Sequence, residues 1–380
     1  MPIFDQGYQH WNGTLSGHGW RWLAIARRGV QNGMRMRGMR IFLFSAWMPA
    51  LALSAFLCFW GLLERQSAMI KPFLQVLSFM TPAVLKEPKL YRVEIWTVAY
   101  DIFLWIELWY SMVIILLIGP NLISQDLRFN ALPLYFSRPL RRIDYFLGKL
   151  GVIVGFIALV MVFPAIVAWV LGLLFSLDLT IVRDTFPLIV RGVIYGMIVA
   201  VSAGLLVLAL SSLSRNSRYV ALFWLGIWFL SSVLSTVLEK VEFEQRQHAA
   251  FQRSARALRD PEFSQRPIAE QFAERRRMQL EAQRQREALL REQARAAERD
   301  WRPVVSYAGN LTRIGGYMTG SYRSWETFAR LMPENRRDDF LRTFAGARFP
   351  WYWSGGVLLG LCGLSICILN FRVKSLDRLR

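Results

Sequence analysis

"GVIVGFIALVMVFPAIVAWVLGLLF", residues 151–175, is an apolar stretch that contains no charged side chain. A helix needs about 20 apolar residues to cross the hydrocarbon core of a bilayer. The stretch lacks the alternation of a barrel strand, and in hydrocarbon only helices and closed barrels satisfy every backbone hydrogen-bonding group. It therefore predicts a membrane-spanning helix.

Five further blocks of the same kind occur in the 380-residue chain, which is 54% hydrophobic. An ordinary globular domain has about 45–50% apolar residues, and here the excess is concentrated in the blocks. Together the six blocks cover residues 41–63, 96–119, 148–176, 187–211, 219–238 and 352–370. The predicted fold is an all-α membrane protein with six transmembrane helices.

The net charge of +19 admits two explanations. Basic patches attract nucleic-acid phosphates, but Lys and Arg are also enriched in the cytoplasmic loops of membrane proteins. The sequence contains no aromatic RNA-binding signature and no zinc finger. Membrane topology is therefore the favoured explanation, and we expect no nucleic acid among the partners.

Residues with catalytic or metal-binding chemistry are sparse. The sequence has no phosphate-binding G-x-x-x-x-G-K-[ST] loop, no G-x-S-x-G elbow and no H-E-x-x-H pair. The three histidines are scattered, and three cysteines fall inside predicted spans as apolar packing residues: Cys58, Cys362 and Cys367. We therefore expect no enzyme, no metal site and no cofactor on this chain. Any driving energy would come from another polypeptide or from an ion gradient.

The N-terminal segment, 1–40, is expected in the cytoplasm because basic residues flank the first span. Residues 19–40 read "GWRWLAIARRGVQNGMRMRGMR". Tryptophan and arginine on one helix are typical of an amphipathic helix that lies in the membrane interface. The alternative is a simple basic flank that orients the first span. The residues assigned to the interfacial helix are Trp20, Trp22, Arg27 and Arg28.

Two acidic residues, Asp101 and Glu107, fall within the second predicted span. Ionisable residues inside a membrane helix are costly and indicate a functional role by default. Asp101 lies near the outer end, where water could reach it, and Glu107 lies deeper. Both are candidates for lining a transport pathway.

A long insertion, residues 239–349, separates the fifth and sixth predicted spans. Its first part, 239–300, is rich in Glu, Gln, Arg and Ala, which predicts a charged helical arm or a coiled coil, although apolar residues keep no heptad spacing. The remainder, 301–349, is aromatic and predicts a membrane-proximal or re-entrant segment. Six spans and a cytoplasmic N-terminus make 239–349 extracytoplasmic. The last segment, 350–380, holds the sixth span and a basic cytoplasmic tail.

The second and third spans are joined by "ISQDLRFNALPLYFSRPLRRIDYFLGKL", residues 123–150. Apolar side chains alternate here with charged ones, and prolines at 133 and 139 end any helix. The pattern predicts a surface that docks against a soluble partner; the alternative is a loop whose apolar side chains dip into lipid. The candidate docking residues are Asp126, Leu127, Arg128, Phe129, Leu132, Leu134, Phe136 and Arg138.

Residues 119–150 resemble the cytoplasmic connection between the second and third spans of type-2 ABC exporter permeases. The matching positions of the family's "SRP…R…Y…GK" run are Ser137, Arg138, Pro139, Arg142, Tyr145, Gly148 and Lys149. The order of elements is also similar, with a basic amphipathic helix, six spans and an outer segment between the fifth and sixth.

This resemblance implies a coupling helix within the segment 120–147, below spans that together cover 41–238. It further implies a separate ABC ATPase, expected in two copies, which would carry the ATP and magnesium. A second permease copy, identical or related, would complete the transporter in a bacterial inner membrane. Substrate would be exported between the two permeases.

The arm at 239–300 is longer than the outer segment usual in that family. It supports an alternative function, a non-transporting membrane scaffold that recruits envelope components through the arm. The two functions are compatible if the arm binds a periplasmic partner of an ATP-driven permease.

Overall fold

The computed structural model describes residues 18–65, 87–136, 140–176, 180–238, 240–241, 300–332, 337, 340–341 and 349–376. These residues are almost entirely helical, and none of them lies in a β-strand. Apart from residues 240, 241 and 300, the predicted charged arm lies outside the described part of the chain.

The six predicted transmembrane helices are confirmed. Within the described residues, six helices are long and apolar enough to cross a membrane. Most extend several residues beyond the apolar blocks, because a helix continues through polar residues wherever its backbone finds partners. They are Arg37–Glu64, Arg92–Arg128, Arg142–Phe175, Thr180–Leu213, Ser217–Leu238 and Trp351–Arg372.

Several of these spans consist of more than one helical segment. π-helical turns at Ala158–Val162 and Gly226–Leu230 interrupt the third and fifth spans. In chain order the α-helices are α1 (Arg21–Arg35), α2 (Arg37–Ala46), α3 (Met48–Glu64), α4 (Arg92–Arg128), α5 (Leu132–Phe136), α6 (Arg142–Ile157), α7 (Phe163–Phe175), α8 (Thr180–Leu213), α9 (Ser217–Leu225), α10 (Tyr307–Thr319), α11 (Ser321–Arg330) and α12 (Trp351–Leu376).

The centre of the bundle is the contact between α4 and α8. The two helices run in the same direction, because Arg92 bonds Thr180 at their starts and Ile123 bonds Ser211 at their ends. α6 and α9 also pack against this pair, α12 packs against α8, and α3 packs against α7. At the crossing, a Cβ atom on Gly119 would lie 2.6 Å from a methyl group of Val207. A small residue is needed there because the two helices approach each other closely.

The N-terminal helix α1 lies along α6 rather than apart from the bundle. Glycines at the contact let the backbones approach: a Cβ atom on Gly148 would lie 3.0 Å from the Trp22 carbonyl oxygen, and one on Gly29 would lie 2.3 Å from Val152. Small residues at such contacts are typical of helix packing in membranes. Residues Arg21–Arg35 are therefore helical and packed against the third span.

A buried ion pair joins the first, second and fourth spans at the end where α4 begins. Arg92 donates from Nε and Nη2 to both carboxylate oxygens of Glu64, at 3.0 and 2.6 Å. Trp60 Nε1 also donates to Glu64 at 2.9 Å, and Arg92 Nη1 donates to the Thr180 hydroxyl at 3.3 Å. The side chains of Arg92 and Glu64 are only 7% and 2% exposed. We call this set the outer clamp.

Helices α10 and α11 fold back against α4, between the fifth and sixth spans. α10 starts in the interior: the Tyr307 hydroxyl is 3.2 Å from that of Ser202, and its ring centroid is 6.0 Å from that of Trp224. Gly320, at a φ of 75°, forms the left-handed turn that reverses the chain into α11. α10 and α11, together called the α10–α11 hairpin, cover the space between α4, α8 and the fifth span.

Candidate functional site

The second span is longer than a membrane crossing requires. α4 has 37 residues, about 55 Å at 1.5 Å per residue, whereas the hydrocarbon core is about 30 Å thick. Its last turns, residues 120–128, lie beyond the apolar block that ends at residue 119. The residue 129–141 connection, here called the connector, leads from this end into α6. We call this the connector end of the bundle.

A serine from the fourth span binds the backbone of α4 around Pro120, a proline inside this helix. Ser211 Oγ accepts hydrogen bonds from the backbone N–H groups of Ile123 and Ser124, at 3.1 and 2.9 Å. The same hydroxyl donates to the Pro120 carbonyl at 3.0 Å. Ser211 is fully buried, so it fixes the last turns of α4 to α8.

Replacing this serine is expected to loosen the connector end. Ser211→Ala leaves backbone donors of α4 buried without their hydroxyl partner, which costs about 1–3 kcal/mol. The matched control is Ser212→Ala, because the buried Ser212 hydroxyl donates within its own helix, to Ala209. Thermal unfolding of the purified protein should show a lower midpoint for Ser211→Ala only. Equal midpoints in the two variants would contradict this role.

Asp126, near the end of α4, binds two residues of α6. Its Oδ2 atom lies 2.6 Å from Lys149 Nζ and accepts a hydrogen bond of 2.6 Å from the Tyr145 hydroxyl. The Asp126 and Lys149 side chains are 15% and 11% exposed, so water screens the pair little. The carboxylate predicted to face a partner is instead engaged inside the protein.

Tyr135 of α5 completes this arrangement from the connector. Its ring lies 5.3 Å from the Tyr145 ring, and Lys149 Nζ lies 5.8 Å from the Tyr135 ring centroid. Burial, and then the charge of Asp126, raise the pKa of the Tyr135 phenol above its ordinary value, so it stays neutral. Asp126, Tyr135, Tyr145 and Lys149 form what we call the connector cluster, which ties α5 to the ends of two spans.

The predicted docking residues divide into inward and outward groups. Phe129 and Leu134 are 71% and 72% exposed, whereas Leu132 is 4% exposed and packs inward. Arg128 is exposed and lies over the Phe129 ring at 5.6 Å, and Leu127 is partly buried against the core. The Phe136 side chain and all of Arg138 lie outside the described part of the chain.

The residues assigned to the interfacial helix are similarly divided. Arg27 and Arg28 are exposed, and Trp20 is also exposed. Trp22 lies against the glycines of α6, because a Cβ atom on Gly151 would lie 3.4 Å from its ring. α1 thus presents a basic surface on one side and is held by α6 on the other.

The two acidic residues of the second span have different surroundings. Asp101 lines a cavity of about 600 Å³ between α4, α8, the fifth span and the α10–α11 hairpin. Glu107 is fully buried, does not line this cavity, and has no hydrogen-bond partner for either carboxylate oxygen among the described residues. We call the cavity the aromatic pocket, after its lining residues Trp105, Trp109, Tyr195, Tyr322, Trp325 and Phe349.

Residue patterns alone did not identify several members of these sites. Tyr145, Gly148 and Lys149 are identified only by the family resemblance, and no sequence pattern marks Ser211 or Arg313. Ser211 binds the backbone of Ser124, 87 positions before it, and Arg313 donates to the Phe349 carbonyl, 36 positions after it. The one available signal was the "SRP…R…Y…GK" run, whose tyrosine, glycine and lysine hold α1, α4 and α6 together.

Comparison with known proteins supplies a family. The family described as ABC-2 family transporter protein matches residues 24–286, from α1 through the fifth span and into the arm. No curated protein matches the chain. The match covers more than half of the sequence and agrees with the six-span helical fold. The chain belongs to the ABC-2 transporter family, as a multi-pass membrane-spanning permease subunit.

Proposed function

We propose that this permease belongs to an ATP-driven exporter and that its connector couples a separate ATPase to the spans. Family membership implies association with an ABC ATPase and a dimeric permease. In the proposed assembly two ATPase copies bind two permeases, identical or related, and carry the ATP and magnesium. In this proposal the chain is the transport subunit, and ATP is hydrolysed by the partner.

The observation that carries the proposal is an exposed apolar pair on a fixed support. Phe129 and Leu134 project from the connector, while the connector cluster holds α5 against α4 and α6. Exposed aromatic and aliphatic side chains on a rigid element suit a groove on a soluble partner, and Arg128 suits an acidic rim. A short stiff support transmits displacement better than a flexible one.

The contacts supply a route for that displacement. A push on α5 reaches Lys149 and Tyr145 through Tyr135, and reaches α4 through Asp126. Ser211 then carries it to the fourth span, and the glycine contacts carry it from α6 to α1. Spans two, three and four would therefore reorient together, as alternating access requires.

The proposed location is a bacterial inner membrane with the connector in the cytoplasm. The connector end carries basic residues close to the ends of the spans, as cytoplasmic loops do. They include Arg128, Arg141, Arg142, Arg215 and Arg218.

Charge introduced at the exposed apolar pair is expected to release the ATPase. Leu134→Glu removes an apolar contact and places a carboxylate in the interface, so the ATPase recovered with the purified permease should fall about tenfold or more. Leu90→Glu is the matched control, because Leu90 is 66% exposed at the opposite end of the bundle. Leu132 is unsuitable for this test, since its buried side chain also supports the connector.

The measurement is ATPase activity and band intensity after affinity purification of each permease in detergent. Equal recovery with Leu134→Glu and with wild type would refute docking at the connector. The alternative scaffold function depends on residues 239–300, and it predicts that neither substitution affects any bound ATPase. The family match favours transport over that alternative.

A further inference from the structure

The aromatic pocket holds one acidic and one basic side chain that do not pair with each other. Asp101 accepts hydrogen bonds from two neutral donors, from Trp325 Nε1 at its Oδ2 atom (3.0 Å) and from the Ser321 hydroxyl. Arg313 donates from Nε to the Phe349 carbonyl at 2.6 Å. Among the described residues, neither side chain forms a salt bridge, although both line the cavity.

A partly buried charge without a counter-ion is costly, and a bound ligand of opposite charge removes that cost. The two charges therefore select a ligand that carries a cation at one end and an anion at the other. At about 600 Å³, the cavity falls within the usual range for small-molecule sites, about 300–1,000 Å³.

Tryptophans near the carboxylate suit an ammonium group. Trp105 and Trp109 follow Asp101 along α4, with ring centroids 6.3 Å apart, and the Trp109 ring lies 5.4 Å from that of Trp228. Aromatic faces attract ammonium ions and are the usual means of recognising quaternary ammonium groups. Guanidinium groups, such as that of Arg313, match phosphate oxygens.

The wall of the pocket continues onto the apolar exterior. Ile102 and Trp105 both line the cavity, and they are 45% and 52% exposed on the outside of α4. An apolar chain attached to the ligand could therefore lie along α4 while the polar group stays inside. This continuity favours a membrane amphiphile over a freely soluble zwitterion.

We propose that the aromatic pocket binds the zwitterionic headgroup of a phospholipid-like amphiphile, with Asp101 and the tryptophans at the ammonium and Arg313 at the phosphate. That this molecule is the exported substrate rests on the proposed function. Binding itself does not, because it involves the permease alone.

The test is lipid retention by the purified permease, without ATPase, in native mass spectrometry. Phosphatidylcholine and phosphatidylglycerol with identical acyl chains are added in equal amounts, since both carry phosphate but only the first carries ammonium. Wild type should retain phosphatidylcholine about tenfold better, as expected for one charge-assisted contact. Asp101→Asn, which keeps an acceptor for Trp325, should bring the ratio close to one.

The basic side chain is tested separately. Arg313→Gln should weaken retention of both lipids about tenfold, and Arg313→Lys, which keeps the charge, should restore most of it. Arg330→Gln is the control, because Arg330 lies on α11 with a side chain that is 73% exposed and pairs with Glu326. Size-exclusion profiles identify any variant that fails to fold. If Arg313→Gln fails to fold, lipid retention by Arg313→Lys tests whether the positive charge holds the phosphate.

Equal retention of the two lipids by wild type, or an unchanged preference in Asp101→Asn, would overturn the proposal. Glycerophosphocholine, the same headgroup without acyl chains, should not displace phosphatidylcholine. Displacement of phosphatidylcholine at equal concentration would contradict the claim that the ligand is a membrane lipid. It would assign the pocket to a soluble zwitterion. Since no ATPase is present, these results are independent of whether the connector couples.

Discussion

A Lys149→Met permease is expected to keep its bound ATPase but to lose most of the coupled activity, by about tenfold or more. The substitution leaves Asp126 as a largely buried carboxylate without its cation, and breaking such a pair costs about 3–5 kcal/mol when it is fully buried. Here both side chains retain some exposure, so the lower end of that range applies. Phe129 and Leu134 remain available, and therefore docking should survive.

The readout is ATP hydrolysis by the reconstituted complex, compared with the amount of ATPase bound. Tyr145→Phe is a graded control, because it removes one hydrogen bond to the Asp126 carboxylate and leaves the ion pair, a loss of about 1.5–3 kcal/mol. Asp126→Asn combined with Lys149→Met should recover part of the stability, since no buried charge remains unpaired. Unchanged hydrolysis in Lys149→Met would show that the connector cluster does not carry the coupling.

The outer clamp supplies the second large effect, on stability. Arg92→Ala should destabilise the protein by about 3–5 kcal/mol, because Glu64 loses a bidentate partner at a site that excludes water. The double variant Glu64→Gln with Arg92→Met should lower the free energy of unfolding less than Arg92→Ala does. The apparent midpoint of thermal unfolding, measured at one detergent concentration, reports both.

An exposed ion pair provides the comparison for this prediction. Arg330→Ala removes the bond to Glu326 on α11, where the two side chains are 73% and 40% exposed, and should change the midpoint little. If the two single variants, Arg92→Ala and Arg330→Ala, unfolded at the same temperature, the outer clamp would not be a stabilising feature.

The spans could be predicted because hydrocarbon length is the strongest constraint in a membrane sequence. Their ends could not, since the last turns of α4 are held by Ser211, which lies 91 positions after Pro120. No local pattern encodes that bond. The sequence therefore assigns the polar residues that follow the apolar block to the connection between spans, although they continue the helix to Arg128.

The connector shows the same limit at the level of side chains. The alternation of apolar and charged residues predicts a docking segment, but it does not show which side chains point outward. Asp126 and Leu132 face inward because Lys149 and the core lie behind them, whereas Phe129 and Leu134 are exposed. In the aromatic pocket, the sequence marks Asp101 as a costly residue for a membrane helix. It does not show that Arg313 and Trp325 lie near Asp101, because they come from a part of the chain that is distant in sequence.

Cross-linking from the connector tests the central claim most directly. In a permease whose native cysteines are replaced (Cys58→Ala, Cys362→Ala and Cys367→Ala), Leu134→Cys and Leu90→Cys are treated with the same short thiol-to-amine reagent in the assembled complex. Coupling through the connector predicts a covalent product with the ATPase from position 134 and none from position 90. A product from position 90 alone, or none from position 134 in a complex that still contains ATPase, would contradict it.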